Sequence, residues 1–156
     1  MMIIRVISTI HSVKMVGFDF GKTATIDNNL SDQSIAGVNI SQPIQSLNFH
    51  NVSFQRCDLS GTTFTDCEFH NCDFHKMILG DVVFYKCNLS GSKFYHATWN
   101  SLVFIDCDLS GVELKDFDEP STNPFYTSLV NCNTTGTQFI NYDVSRIKLI
   151  GCYQNK

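Results

Sequence analysis

The sequence of 156 residues predicts an all-β fold, a four-sided coil of very short parallel strands. Two periodic columns of residues indicate this fold. One column is large and apolar at fourteen positions spaced five residues apart, and the other, two residues upstream, contains all seven cysteines. The first column consists of Phe49, Phe54, Leu59, Phe64, Phe69, Phe74, Leu79, Phe84, Leu89, Phe94, Trp99, Phe104, Leu109 and Leu114. The cysteines are Cys57, Cys67, Cys72, Cys87, Cys107, Cys132 and Cys152.

Each five-residue unit must contain its own turn, because its period fits neither the helix period of about 3.6 nor the strand period of about 2. The large residue is the centre of the unit, and a small or apolar residue lies two positions before it. These two side chains point inward and the residue between them points outward, as in a short strand. The two residues after the centre, such as Ser60-Gly61 and Ser90-Gly91, then form the turn, and glycine in second place suits a type II turn.

Four units close a square coil of about twenty residues. Read at twenty-residue steps, one turn position carries only asparagine and glycine, the residues that best tolerate a left-handed backbone. Stacked coils should lie roughly 4.8 Å apart. Aromatic side chains then fill the interior, so no cofactor is predicted. The turn residues at these steps are Asn51, Asn71, Gly91, Gly111, Asn131 and Gly151.

The motifs CDLSG, beginning at Cys57, and CNLSG, beginning at Cys87, resemble those of the pentapeptide repeat proteins. The resemblance is strong over residues 44–118 and weak over 129–152, and it implies a right-handed quadrilateral parallel β-helix. The chain prefers cysteine to alanine in the small column and phenylalanine to leucine at the centre. In this respect it is similar to the quinolone-resistance and microcin-immunity branch of the family.

Breaks in the repeat predict the organisation of the chain. Residues 1–17 are expected to form an N-terminal cap, and residues 18–43 a degenerate first coil with a one-residue slip at 41–43. The regular β-helix should span 44–152. Within it, the segment 115–128 contains two prolines and no repeat, so we expect a loop that projects from one corner.

Bulk composition excludes several classes of function. A formal net charge of −4, with 43% hydrophobic and 17% charged residues, provides no basic stripe for direct binding of nucleic acid or of a membrane surface. Arg5, His11 and Lys14 interrupt the apolar N-terminal stretch, which argues against a signal peptide. The predicted location is the cytoplasm, or alternatively a host cell after secretion without a cleavable signal. An odd number of cysteines in a small inward column predicts reduced core thiols.

The sequence predicts neither a metal site nor an enzyme. His70, Cys72 and His75 are close in sequence, but the cysteine should point inward and the histidines outward from different sides, so they cannot converge on one ion. Serines occupy turns and cysteines occupy the core, so no activated nucleophile is expected.

The outer surface therefore remains for function. Val83, Tyr85, Val103 and Ile105 are outward residues stacked on adjacent coils, which makes an apolar patch on a surface that should be wet. Either the loop folds over this patch or a partner binds it. The candidate loop residues are Asp116, Phe117, Asp118, Glu119, Phe125 and Tyr126.

These observations predict a non-enzymatic protein-binding module that uses the wall and the loop. The resemblance implies two versions of this function: a modulator of the topoisomerase DNA gyrase that acts by DNA mimicry, or a type III secreted bacterial effector or effector fragment. No long apolar segment follows Cys152 to cover the last cross-section of the stack. We therefore expect a homodimer joined through the C-terminal end.

Overall fold

The computed structural model describes residues 30–116 and 127–155, together with the backbone of Lys14–Met15. This part of the chain forms an all-β solenoid of parallel strands, as predicted. Its elements are β1 (Lys14–Met15), β2 (Ser34–Ala36), β3 (Ile44–Gln45), β4 (Ser53–Gln55), β5 (Thr63–Thr65), β6 (Asp73–His75), β7 (Ile78–Gly80), β8 (Val83–Tyr85), β9 (Lys93–Tyr95), β10 (Thr98–Asn100), β11 (Val103–Ile105), β12 (Glu113–Lys115), β13 (Thr127–Val130), β14 (Gln138–Ile140), a 3-10 helix (Val144–Arg146) and β15 (Ile147–Ile150).

The strands lie on four faces that the chain visits in order. Face A is the sheet β1-β2-β4-β6-β9-β12-β14, face B contains β7 and β10, and face C is the sheet β15-β13-β11-β8-β5-β3. Face D is held by single parallel bridges that run from Asn48 through Glu68, Asn88, Asp108 and Asn133 to Tyr153. The right-handed sense implied by the resemblance stays a prediction.

The predicted apolar column forms the core, since all fourteen of its centres are buried. Phenylalanines at twenty-residue steps stack face to face: the Phe64 and Phe84 rings are 5.1 Å apart, and the Phe74 and Phe94 rings are 4.4 Å apart. Stacking of this kind adds about 0.5–1.5 kcal/mol per pair beyond the burial of apolar area.

The small column accepts cysteine, serine and threonine because each can donate a hydrogen bond to the coil below. The Cys107 thiol donates to the carbonyl of Phe84 at 3.3 Å, and the Thr62 hydroxyl donates to that of Ile40 at 2.6 Å. These donors add to the hydrogen-bonding of buried carbonyls without introducing a charge. The column therefore tolerates weakly polar side chains in an interior that is otherwise apolar.

The turns explain the Asp/Asn-Leu-Ser-Gly motif. The Asp58 carboxylate accepts a hydrogen bond from the Ser60 N–H at 3.0 Å, and Asn88 does the same for Ser90. Both are local side-chain contacts that hold the turn. From Ile44 to Leu114, the second residue after every centre has a positive φ, including non-glycine residues such as Arg56 and Lys86.

Coil length is not constant along the stack. Phe64 pairs with Phe84 at a step of twenty residues, whereas Ile35 pairs with Phe54 at a step of nineteen. Across the irregular segment, Phe104 pairs with Leu129 and Leu114 with Phe139, both at steps of twenty-five. The coil that contains the segment between β12 and β13 is therefore five residues longer than a regular coil of twenty.

This longer step corrects an expectation drawn from a constant twenty-residue period. Gly136, not Asn131, continues the corner of Gly91 and Gly111, because the Gly111 N–H donates to the neighbouring Thr135 carbonyl. Asn131 lies one corner away, where its side chain donates to Asp106 at 3.1 Å. Val144, although in phase with the centres, begins the 3-10 helix and is exposed.

In the part of the chain that the structure describes, no helix is long and apolar enough to cross a membrane.

Candidate partner-binding site

The four wall residues predicted from the sequence lie together on face C. Strands β8 and β11 pair in register, so Val83 lies beside Val103 and Tyr85 beside Ile105. Their centres, Phe84 and Phe104, point inward and are buried, which fixes these flanking side chains outward. All four wall residues are half-buried. We call Val83, Tyr85, Val103 and Ile105 the apolar wall.

Two further apolar residues extend the wall, and the sequence analysis missed both. Ile105 pairs with Val130 on β13, and Val130 pairs with Ile150 on β15. A constant twenty-residue step places a different residue beside Ile105 and leaves Val130 out of this row. The sequence does contain a signal for this row: Leu129 and Leu149 are centres on successive coils, and each is followed by an apolar residue. One outward row of face C is thus apolar over four coils, from Tyr85 to Ile150.

Charged side chains border the wall on the corner between faces C and D. Asp66, Lys86 and Asp106 follow one another on consecutive coils and are exposed. The Lys86 ammonium lies 5.1 Å from the centroid of the Tyr85 ring, within the range of a cation–π contact. Two carboxylates flank a single ammonium here, so a complementary partner surface would be apolar with a basic rim.

Of the candidate loop residues, the structure describes only Asp116. It ends the corner after β12, lies 3.8 Å from the Lys115 ammonium, and accepts a hydrogen bond from the Asn141 amide at 2.5 Å. Lys115 and Thr127 both belong to strands, so the segment between strands is shorter than the predicted loop 115–128. Phe117, Asp118, Glu119, Phe125 and Tyr126 lie outside the described residues.

The last coil presents a second apolar surface. Leu149 occupies a centre position of face C, yet its side chain is 58% exposed, and Ile150 is 45% exposed. Tyr153 on face D is also exposed. Within the described part of the chain, no further coil lies over these residues.

Buried thiols line part of the interior. The cysteines are free, and six of the seven are buried. Burial raises the pKa of Cys57 and raises that of Cys72 to about 12. Such thiols stay protonated at neutral pH and are poor nucleophiles. That the protein is not an enzyme stays a prediction.

His70 and His75 belong to two different pairs of imidazole rings. His50 and His70 form one pair with ring centroids 5.9 Å apart, and His75 pairs with His96 at 5.8 Å. Cys72, which lies between His70 and His75 in the sequence, points into the core. Among the described residues, no group of three histidine, cysteine or carboxylate side chains could hold a metal ion.

Comparison with known proteins identifies the repeat. Residues 48–84 and 83–118 match the family of pentapeptide repeats, in eight copies. No curated protein matches the sequence.

Among solved structures, a trypsin-treated variant of QnrB1, a plasmid-mediated fluoroquinolone resistance protein, is 16% identical, with a TM-score of 0.33 over 79% of this chain and 91% of that chain. Full-length QnrB1 is 15% identical, with a TM-score of 0.29 over 82% and 94% of the two chains. The pentapeptide repeat protein Rfr23 from the cyanobacterium Cyanothece 51142 is 16% identical, with a TM-score of 0.29 over 83% and 88%.

Proposed function

Because the chain is a pentapeptide repeat protein over residues 48–118, we propose that it is a protein-binding module that contacts its partner through the apolar wall on face C. One observation carries this proposal: the outward row from Tyr85 through Ile105 and Val130 to Ile150 is apolar on four successive coils. An apolar strip this regular on an outer surface is typical of an interaction site.

The scaffold favours tight binding because little order is gained on association. The backbone of the wall is held by in-register ladders, and Phe84 and Phe104 anchor it from inside. A preorganised surface loses less conformational entropy on association than a flexible one. The acidic side chains of Asp66 and Asp106 at its edge favour a partner with basic residues around an apolar centre.

Lysine substitutions on the wall test the proposal. In the Tyr85→Lys/Ile105→Lys variant we expect capture of the partner to be lost while the melting temperature stays the same, because both side chains point outward. Gln55→Lys is the matched control, since Gln55 follows a centre on face A and is exposed. A drop in melting temperature without loss of the partner would instead assign the wall to internal packing and overturn the proposal.

The partner we propose to test first is bacterial DNA gyrase, in line with the resemblance to the quinolone-resistance branch. A supercoiling assay with gyrase, with and without a fluoroquinolone, should show a change that the wall variant abolishes and Gln55→Lys retains. Absence of any effect at a large molar excess would reject gyrase. The secreted effector would then be the favoured version of the function, and with it a location outside the bacterial cytoplasm.

Self-association through the last coil is a separate expectation. The exposed Leu149, Ile150 and Tyr153 support it, since two such ends would cover each other's apolar side chains. Sedimentation at micromolar concentration should give a dimer, and Leu149→Lys should give a monomer. A monomer in the unsubstituted protein would reject this contact.

A further inference from the structure

Five of the seven cysteines form one continuous column on the inner side of face D. Cys67, Cys87, Cys107, Cys132 and Cys152 each precede a residue of the bridge ladder that runs from Glu68 to Tyr153. The Tyr153 N–H donates to the carbonyl of Cys132 at 3.0 Å, so the last two thiols lie on directly adjacent coils. No other column of the stack repeats cysteine on adjacent coils.

The thiols in this column share one side-chain orientation. The Cys132 sulfur lies 3.6 Å from the carbonyl of Phe104 and 3.3 Å from that of Val130. The Cys152 sulfur has the equivalent neighbours, the carbonyls of Leu129 at 3.2 Å and of Ile150 at 3.7 Å. Equivalent orientations on successive coils separate the two sulfurs by about the rise between strands, roughly 4.8 Å.

This spacing suits a bridging metal better than a disulfide. A disulfide needs sulfurs about 2.05 Å apart and Cβ atoms about 3.5–4.5 Å apart, so the coils would have to move together. Two metal–sulfur bonds of about 2.3 Å arranged in a line span about 4.6 Å, which is close to the rise of roughly 4.8 Å between coils. Zinc does not suit this site, because it takes four ligands and no group of three metal-binding side chains occurs among the described residues.

We propose that Cys132 and Cys152 form a two-sulfur site for a soft monovalent metal ion, of which Cu(I) is the type. Thiolates select such ions over harder ones. On binding, each thiol loses its proton to the solvent and each sulfur forms one bond to copper, so the bound unit carries a net charge of −1. The metal keeps its oxidation state throughout.

Exposure singles out the last pair among the thiols of this column. Cys152 is half-buried, whereas Cys67, Cys87, Cys107 and Cys132 are buried. An ion can reach the Cys152 sulfur because that residue is half-buried rather than buried, and water there can solvate the negative charge. The deeper gaps lack both the access and the solvation, since an isolated charge in a dry core is very costly.

A competition experiment tests the site: Cu(I) is supplied under anaerobic conditions together with a chromogenic chelator, and the copper withdrawn by the protein is measured. We expect the protein to withdraw one copper ion per chain, with two sulfur neighbours by X-ray absorption. Cys152→Ala and Cys132→Ala should both reduce the retained copper to near zero. Cys57→Ala is the matched control, because Cys57 is a thiol outside this column and its loss should leave binding unchanged.

Three results would overturn the proposal. Failure of the unsubstituted protein to withdraw copper rejects the site outright. Loss of copper in Cys152→Ala but not in Cys132→Ala would show that Cys152 binds alone or bridges two chains. Equal retention by Cys152→Ala and Cys57→Ala would show that the column is not the ligand. Circular dichroism of each variant separates loss of the ligand from loss of the fold.

Discussion

Two positions in the same column of face C behave in opposite ways. Phe84 lies between Phe64 and Phe104, with ring centroids 5.1 and 5.2 Å away, and its side chain is 0% exposed. Leu149 is the centre of the last strand of the same sheet, and its side chain is 58% exposed. The repeat pattern gives both residues the same inward direction. Burial comes from the coil above, so a centre stabilises the stack only where a neighbour closes over it.

A second contrast concerns face B, where Leu79 of β7 pairs with Trp99 of β10 and the described residues contain no further strand paired with β10. On this face Tyr142 packs against Trp99 with ring centroids 5.4 Å apart. The Tyr142 hydroxyl lies 3.3 Å from that of Thr127, which ties it to β13. One aromatic side chain from the last coil thus packs against a core residue whose strand, β10, has no further paired strand beyond it among the described residues.

The largest expected effect tests the contrast between Phe84 and Leu149. Phe84→Ala should lower the free energy of unfolding by about 3–5 kcal/mol, because it empties a stacked site closed on both sides. Leu149→Ala should lower it by less than about 1 kcal/mol, since most of that side chain is already in water. Denaturant unfolding of both variants measures the two values. Similar losses would show that the last coil is closed in solution.

An intermediate effect is expected at Tyr142. Tyr142→Ala should cost about 1–2 kcal/mol through the lost ring contact and the uncovered Trp99. Because Trp99 is the single tryptophan of the chain, its fluorescence reports this uncovering directly, and the emission should shift to the red. Tyr153→Ala, which removes an exposed tyrosine, is the control and should leave the emission unchanged. An unshifted spectrum in Tyr142→Ala would place the cover of Trp99 elsewhere.

The smallest expected effect lies on the outer surface of face A. Lys93 and Glu113 are cross-strand neighbours, with the ammonium 3.7 Å from a carboxylate oxygen, and both side chains are partly exposed. Lys93→Ala should reduce stability only slightly, and the difference should shrink further in high salt. Thermal melts at two ionic strengths measure it. A large, salt-independent loss would contradict the view that the outer charges contribute little beside the core.

Much of the candidate site could be predicted from sequence because it obeys the same period as the core. Val83, Tyr85, Val103 and Ile105 each flank a centre, so their outward direction follows from strand alternation. Val130 and Ile150 could not be assigned with the same rule, because their row depends on how many residues the irregular segment adds. That number is visible only in the pairing of Phe104 with Leu129.

The sequence by itself determined the repeating unit: which side chains point inward, where the turns lie, and which small residues accompany each centre. These features are local, or involve neighbours one coil away, so a five-residue period is enough to specify them. The tertiary structure decided the coil of twenty-five residues, the cover that Tyr142 places over Trp99, and the exposure of Leu149. Each of these depends on contacts between segments that no period relates. The five-residue unit specifies neither the number of residues in an interruption of the repeat nor the contacts made by the residues that follow it.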